Sequence, residues 1–158
     1  MFDTEGLSKS CKQFEYRKGW VFSVLSQRDL DRLQRLQNSA ARLVFSAPLR
    51  THIQPLRLEL HWLPVRQRIA FKILLLVYKS LNHRCPPYIA DCLVRRPRVR
   101  NTRSSSSIWL TQCLSKKRAG ELSFPSVAAK LWNQLPTAVQ TASSVDQFKK
   151  LLKSHLFC

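Results

Sequence analysis

The residues of this chain that could do chemistry stand in patterns that match no common catalytic arrangement. The closest acids within a predicted helix, Asp29 and Asp31, are two positions apart at its start, which places them about 200° apart around the helix axis. Carboxylates so placed cannot together hold the pair of metal ions that template-directed nucleic-acid synthesis requires. The serine run at 104–107 lacks a nucleophile elbow, and no histidine carries a signature that pairs it with a Ser or Cys nucleophile. The sequence therefore predicts no catalytic residue and no enzyme activity.

Four residues could in principle ligate zinc, but their spacing is wrong. His83, Cys85, Cys92 and Cys113 follow one another at gaps that fit no common structural zinc site. We therefore expect no metal, no cofactor and no small-molecule substrate.

The number of cysteines and the lengths of the apolar runs bear on where in the cell the protein is expected. The five cysteines form an odd set without a framework spacing, and no secretory leader precedes them, which favours reduced thiols. The longest apolar run, ILLLVY at residues 73–78, is far shorter than the roughly 18 to 20 residues that span a bilayer. These features predict an intracellular protein, nuclear or cytoplasmic, that is neither secreted nor inserted in a membrane.

Charge is the strongest signal in the composition. The 158 residues include 27 Lys and Arg against 9 Asp and Glu, a formal net charge of +18, while 44% of the residues are hydrophobic. That hydrophobic fraction suffices for the core of one ordinary domain. Because such a charge repels itself in a compact state, the natural partner is a polyanion, RNA or DNA, or an acidic surface.

The cations concentrate in a segment that cannot bury itself. Residues 94–107 contain five arginines, no acid, and four consecutive serines at their C-terminal end. We name this segment the basic connector. A second cluster follows at residues 116–118. Arginine can bond phosphate oxygens in pairs, so nucleic-acid binding is the first interpretation, with a nuclear-import address or a merely solvated loop as open alternatives. The candidate binding residues are Arg95, Arg96, Arg98, Arg100, Arg103, Lys116, Lys117 and Arg118.

Elements that would position this connector are predicted from periodicity. From Gln27 a stripe of apolar residues recurs at steps of three and four and predicts a helix that ends before Pro48. Pro55 and Pro64 each start a further helix, so that His61, Trp62 and Leu63 form the corner between the two. The first stripe consists of Leu30, Leu33, Leu36, Ala40, Leu43 and Val44, and the stripe after Pro64 consists of Val65, Ile69, Ile73, Leu76 and Leu81.

The second half continues this helical pattern. Residues 108–114 allow a short strand, and Gly120 suits a turn. Ser123 or Ser126 caps a helix that buries Trp132, and Ser144 with Gln147 has the spacing of a capping box for a closing helix.

The predicted fold class is therefore mainly α, a small helical domain with room for a short β-hairpin and a basic irregular connector. Its parts are an unrelated or poorly ordered head at 1–26, a helical segment at 27–93, the connector at 94–107, and residues 108–158 packing on 27–93.

Several blocks of the sequence together resemble a known family. LDRLQRLQNSAARLVF, HWLPVRQRI with FKILLLVYK, PPYIADCLV, TRSSSS, SVAAKLWNQLP and SSVDQFKKLLKSHLF follow one another. This order is similar to the extreme C-terminal region of the polyprotein of LINE-type non-LTR retrotransposons of the jockey, CR1 and L2-like group. The resemblance covers about residues 30–157. It implies a truncated segment from beyond the polymerase palm and thumb, without palm or endonuclease.

Two functional expectations follow. The first is a non-catalytic remnant of a retrotransposon reverse transcriptase that binds RNA or DNA nonspecifically. The second is a helical protein-interaction module, or an open reading frame without a selected function. Fold alone does not choose between them.

Overall fold

The computed structural model describes residues 25–97, 108–112 and 118–157, with side chains in the last range from residue 120 onward. The fold is mainly helical, as the sequence predicts. Residues 1–24 of the predicted head lie outside the described residues. The helices are α1 (Gln27–Val44), α2 (Ile53–Glu59), α3 (Val65–Leu81), α4 (Pro87–Ala90), α5 (Arg118–Glu121), α6 (Phe124–Asn133), α7 (Thr137–Gln140) and α8 (Val145–Phe157).

Helix α3 is the centre of the domain. It follows directly on Pro64, and its interior has neither glycine nor proline, so that 17 residues continue without a break. Helices α6 and α8 pack against it, as do α1 and α4. The buried side chains of α3 are Ile73, Leu74, Leu76, Val77, Tyr78 and Ser80. The chain therefore builds its core between α3 and the C-terminal helices.

An aromatic group fills the middle of this core. Phe148 stacks on Tyr78 with 4.2 Å between ring centroids and lies 6.1 Å from the Trp132 ring. Trp132 and Phe148 are both 0% exposed, which confirms the predicted burial of Trp132. The Tyr78 hydroxyl donates to the carbonyl oxygen of Ala142 at 2.7 Å. This bond satisfies a buried hydroxyl, and it ties α3 to the loop that precedes α8.

Helix α1 exists as predicted, but its inward face differs from the prediction. Four of the six residues of the predicted stripe are exposed, while Leu30 and Leu33 are half-buried; the exposed four are Leu36, Ala40, Leu43 and Val44. Leu36 is 67% exposed and Leu43 is 81% exposed, although both belong to the predicted stripe. Polar residues take part in the contact with α3 instead: Gln37 donates through Nε2 to the carbonyl of Leu63 at 2.8 Å. Gln34 accepts through Oε1 from the Val65 amide at 2.9 Å. Because that amide begins α3 and has no partner within the helix, the glutamine bond satisfies an otherwise open donor.

The corner at His61, Trp62 and Leu63 is confirmed, and its backbone explains the sharp turn. His61 has a φ of 53°, in the left-handed region. The Trp62 amide donates back to the carbonyl of Arg57 at 2.8 Å, which with the left-handed residue makes a Schellman ending for α2. Helices α1 and α3 end in the same way, at Ser46 with φ 47° and at His83 with φ 54°. Glycine is the residue usually found at this position, because it has no Cβ to clash in the left-handed region. At these three helix ends a serine or a histidine occupies it instead.

Replacing His61 by glycine is expected to stabilise the protein by about 0.5 to 1 kcal/mol. Relief of the left-handed strain outweighs the added backbone entropy of the unfolded chain. Urea denaturation followed by circular dichroism measures the change. The matched control is His61→Ala, which removes the imidazole but keeps the Cβ that makes the left-handed conformation unfavourable. An equal gain in both variants would contradict the explanation.

Two further local predictions need correction. Gly120 lies within α5 rather than in a turn outside a helix. At the start of α8 the Ser144 hydroxyl accepts from the Gln147 amide at 3.1 Å, as a capping box requires. The Gln147 side chain, however, accepts from the amide and hydroxyl of Ser143, not from the Ser144 amide. The reciprocal bond is thus shifted by one residue toward the N-terminus.

Candidate nucleic-acid interface

The two ends of the basic connector are joined by a short antiparallel pairing. Arg95 and Leu110 form an isolated bridge, in which the Arg96 amide donates to the carbonyl of Trp109 at 2.9 Å and the Thr111 amide to that of Val94 at 2.8 Å. The predicted strand at 108–114 is therefore reduced to one bridge within the described residues, and residues 113–114 lie outside them. Arg95 and Leu110 are a non-hydrogen-bonded pair of this bridge, so the amide and carbonyl of Leu110 point away from residue 95 and bond other partners.

Those partners belong to α6. The Asn133 side chain accepts from the Leu110 amide and donates to the Leu110 carbonyl, each at 2.9 Å. The Trp132 indole donates to the carbonyl of Ile108 at 2.8 Å. Leu110 itself is 2% exposed and belongs to the core. Residues 108–111 are consequently held by the core, although they form no extended strand.

Arg95 has a structural contact that the sequence did not indicate. Its Nη2 donates to the carbonyl of Leu81, the last residue of α3, at 2.9 Å. A cation at a helix C-terminus satisfies an open carbonyl and complements the negative end of the helix dipole. Arg95 is exposed, yet its guanidinium is already engaged with the domain. We therefore separate Arg95, which supports α3, from the arginines available to a partner.

Most of the predicted site lies outside the described residues. Arg98, Arg100, Arg103, Lys116 and Lys117 fall there, and Arg118 is described only as the backbone start of α5. Of the eight predicted residues, the structure thus places two side chains, Arg95 and Arg96, at the bridge.

Exposed cations also occur on two long helices. Arg28, Arg32 and Arg35 share one face of α1 at steps of four and three, and all three are exposed. Arg68 and Lys72 form an exposed pair on α3. None of these cations was among the residues predicted from the sequence to bind nucleic acid.

Few acids offset this charge. The part of the chain that the structure describes contains the ion pairs Arg32–Asp29 at 3.8 Å and Lys149–Asp146 at 2.9 Å. The hydrogen bond and charge of Lys149 hold the pKa of Asp146 below its usual value, so this carboxylate stays ionised at neutral pH. Both pairs lie on exposed helix faces, where such contacts contribute little to stability. Elsewhere in the described ranges, exposed Lys and Arg outnumber exposed Asp and Glu.

No metal-ligating group is assembled in the described ranges. No three residues among His, Cys, Asp and Glu come together there, and Cys85 and Cys92 are free thiols. Cys11, Cys113 and Cys158 lie outside these ranges. A half-open cavity of about 220 Å³ lies beside Arg95, lined also by Ser80, Leu81, His83, Ala90 and Leu93. It is smaller than the roughly 300 to 1,000 Å³ usual for small-molecule sites.

None of the helices in the described ranges is long and apolar enough to cross a membrane.

Comparison of the chain with known proteins gives no match to a family model, to a curated protein or to a solved structure.

Proposed function

We propose that the chain binds RNA or DNA nonspecifically through its cationic surface and is a non-catalytic remnant of the C-terminal region of a LINE-type reverse transcriptase. The observation that carries the proposal is the distribution of charge around the bridge. Between Asp91 and Glu121 the sequence has eight Lys and Arg and no acid. Each cation that neutralises a phosphate releases a condensed counterion, which favours binding without any base contact.

The domain supplies a frame for this segment. On either side of the connector residues that the structure does not describe, Arg96 is held by the bridge and Ile108 by its bond to α6. A basic segment whose ends are fixed loses less entropy on binding than a free tail of the same composition.

The ancestry rests on the sequence blocks alone. In the related polyproteins this region follows the polymerase, which suits a cationic domain near a nucleic acid. The proposed origin and the proposed nucleic-acid binding are tested separately, because a retrotransposon remnant can keep its positive charge after it has lost its function.

A second candidate function, a helical protein-interaction module, is favoured by one observation. Leu36, Leu43, Val44 and Leu49 are all exposed along and after α1, and Leu49 is 85% exposed. Exposed apolar side chains grouped in this way are typical of a surface that another protein covers.

Filter binding across a salt series tests the nucleic-acid proposal. If about five phosphates are neutralised, the logarithm of affinity falls against the logarithm of salt with a slope of about −3.5 on single strands and −4.5 on duplex. Replacing Arg96, Arg98, Arg100 and Arg103 by glutamine is expected to flatten the slope. Arg95 is left in place because it caps α3.

The matched control removes four arginines elsewhere, Arg28, Arg32, Arg35 and Arg66, with the same change in net charge. A smaller flattening in the control assigns the contacts to the connector. An unchanged slope in the connector variant would remove the connector from the interface. Absence of binding by the unaltered chain at low salt would refute the proposal and leave the interaction module standing.

A further inference from the structure

We infer that Trp109 is a base-stacking residue and that the interface therefore prefers single-stranded nucleic acid to duplex. The inference rests on the proposed function and names the class of nucleic acid that the same surface would take. Trp109 was not among the residues predicted to bind.

The bridge determines which side chains face outward. Because side chains alternate along an extended backbone, Leu110 and Trp109 point to opposite sides. Leu110 enters the core at 2% exposed, and Trp109 is accordingly 46% exposed. The register that pairs Arg95 with Leu110 also sets Arg96 directly opposite Trp109. Opposed residues have Cβ atoms roughly 5 Å apart, so the cation and the indole are neighbours on the outward face.

The backbone under the ring is fixed at three consecutive residues. The carbonyls of Ile108, Trp109 and Leu110 accept from the Trp132 indole, the Arg96 amide and the Asn133 side chain, at 2.8, 2.9 and 2.9 Å. The Trp109 ring is thus presented on a fixed support, and little backbone entropy is lost when a partner covers it.

The chemistry of the pair fits an unpaired nucleotide. An exposed indole offers an apolar face on which any base can stack, and an adjacent arginine can contact the phosphate. In a duplex the bases are paired and stacked on one another, so the ring gains no partner there. An acidic peptide would use Arg96 but would draw no comparable gain from the flat face of Trp109.

Fluorescence anisotropy with a labelled 20-nucleotide oligothymidine and a 20-base-pair duplex, both at fixed salt, tests the inference on the full chain. Trp109→Ala is expected to weaken single-strand binding by about 5- to 150-fold, the range that base–aromatic stacking supports. Duplex binding is expected to change little. Trp109→Phe keeps a stacking ring and is expected to recover most of the loss.

The matched control is Tyr88→Ala, because Tyr88 is an aromatic residue with the same 46% exposure on α4. It is expected to leave both affinities unchanged. Photo-crosslinking of a bromouracil-containing single strand to the unaltered chain, mapped by mass spectrometry, gives a readout that does not depend on any variant, and the crosslink is expected at Trp109.

The possible failures are distinguishable. Equal weakening of single strand and duplex by Trp109→Ala, equal weakening by Tyr88→Ala, or crosslinks only elsewhere would overturn the stacking role while nucleic-acid binding itself stands. No binding of either probe by the unaltered chain at low salt would overturn the proposed function.

Discussion

Trp132→Ala is expected to lower the free energy of unfolding by about 3 to 5 kcal/mol. The side chain is 0% exposed, and its ring lies beside Phe148 between α3 and α8. Truncation removes this burial, leaves a cavity and opens the carbonyl of Ile108, which accepts from the indole at 2.8 Å. Because whole domains are stable by only about 5 to 15 kcal/mol, the loss would bring the chain close to unfolding.

Two variants separate the contributions. Trp132→Phe keeps an aromatic ring but loses the indole donor, and we expect it to cost less than the alanine variant. Trp109→Ala removes the half-exposed tryptophan and is expected to have a much smaller effect on stability. Urea denaturation followed by circular dichroism measures all three, since tryptophan fluorescence changes with the substitutions themselves. A change at Trp132→Ala within about 0.5 kcal/mol would contradict its role as a core residue.

The sequence predicted the longer helices because each has a local cause, whereas the four-residue helices α5 and α7 were not predicted. Proline positions and steps of three and four residues predicted α1 and α3, and the same periodicity identified Trp132 as an inward residue. These signals depend on neighbours along the chain. They require no knowledge of what packs against a helix.

The orientation of α1 could not be predicted in the same way. Leu36 and Leu43 were expected inside, whereas Gln34 and Gln37 take part in the contact because they bond the first amide of α3 and the carbonyl at the corner. A hydrophobicity pattern gives glutamine no preference for the interior. The partner that makes its burial favourable becomes known only when two distant segments meet.

The candidate site also has one part that the sequence predicted and one part that only the structure shows. The cationic connector was evident from charge alone, but the role of Arg95 depends on the end of α3 lying within reach of its guanidinium. Trp109 was likewise ambiguous in sequence, because an isolated tryptophan is more often buried than exposed. The bridge to residue 95 and the inward turn of Leu110 determine that it faces outward.

Phe148→Ala is the second variant with a large expected effect, again about 3 to 5 kcal/mol. The ring is 0% exposed, stacks on Tyr78 at 4.2 Å and lies 6.1 Å from Trp132. It is the residue through which α8 contacts both other aromatic rings, so its loss is expected to loosen α8 from α3. Hydrogen exchange is expected to show earlier opening of α8 than in the unaltered chain.

A double-mutant cycle between Trp132→Ala and Phe148→Ala tests whether the aromatic group acts as a unit. Residues in contact couple by about 0.5 to 3 kcal/mol, so the double variant is expected to lose less stability than the two single variants added together. Phe148→Leu is the control, since it keeps an apolar side chain but removes stacking on Tyr78. Strict additivity of the two alanine variants would show that the rings contribute independently, and α8 would then depend on its aliphatic contacts, led by Leu152, rather than on the aromatic group.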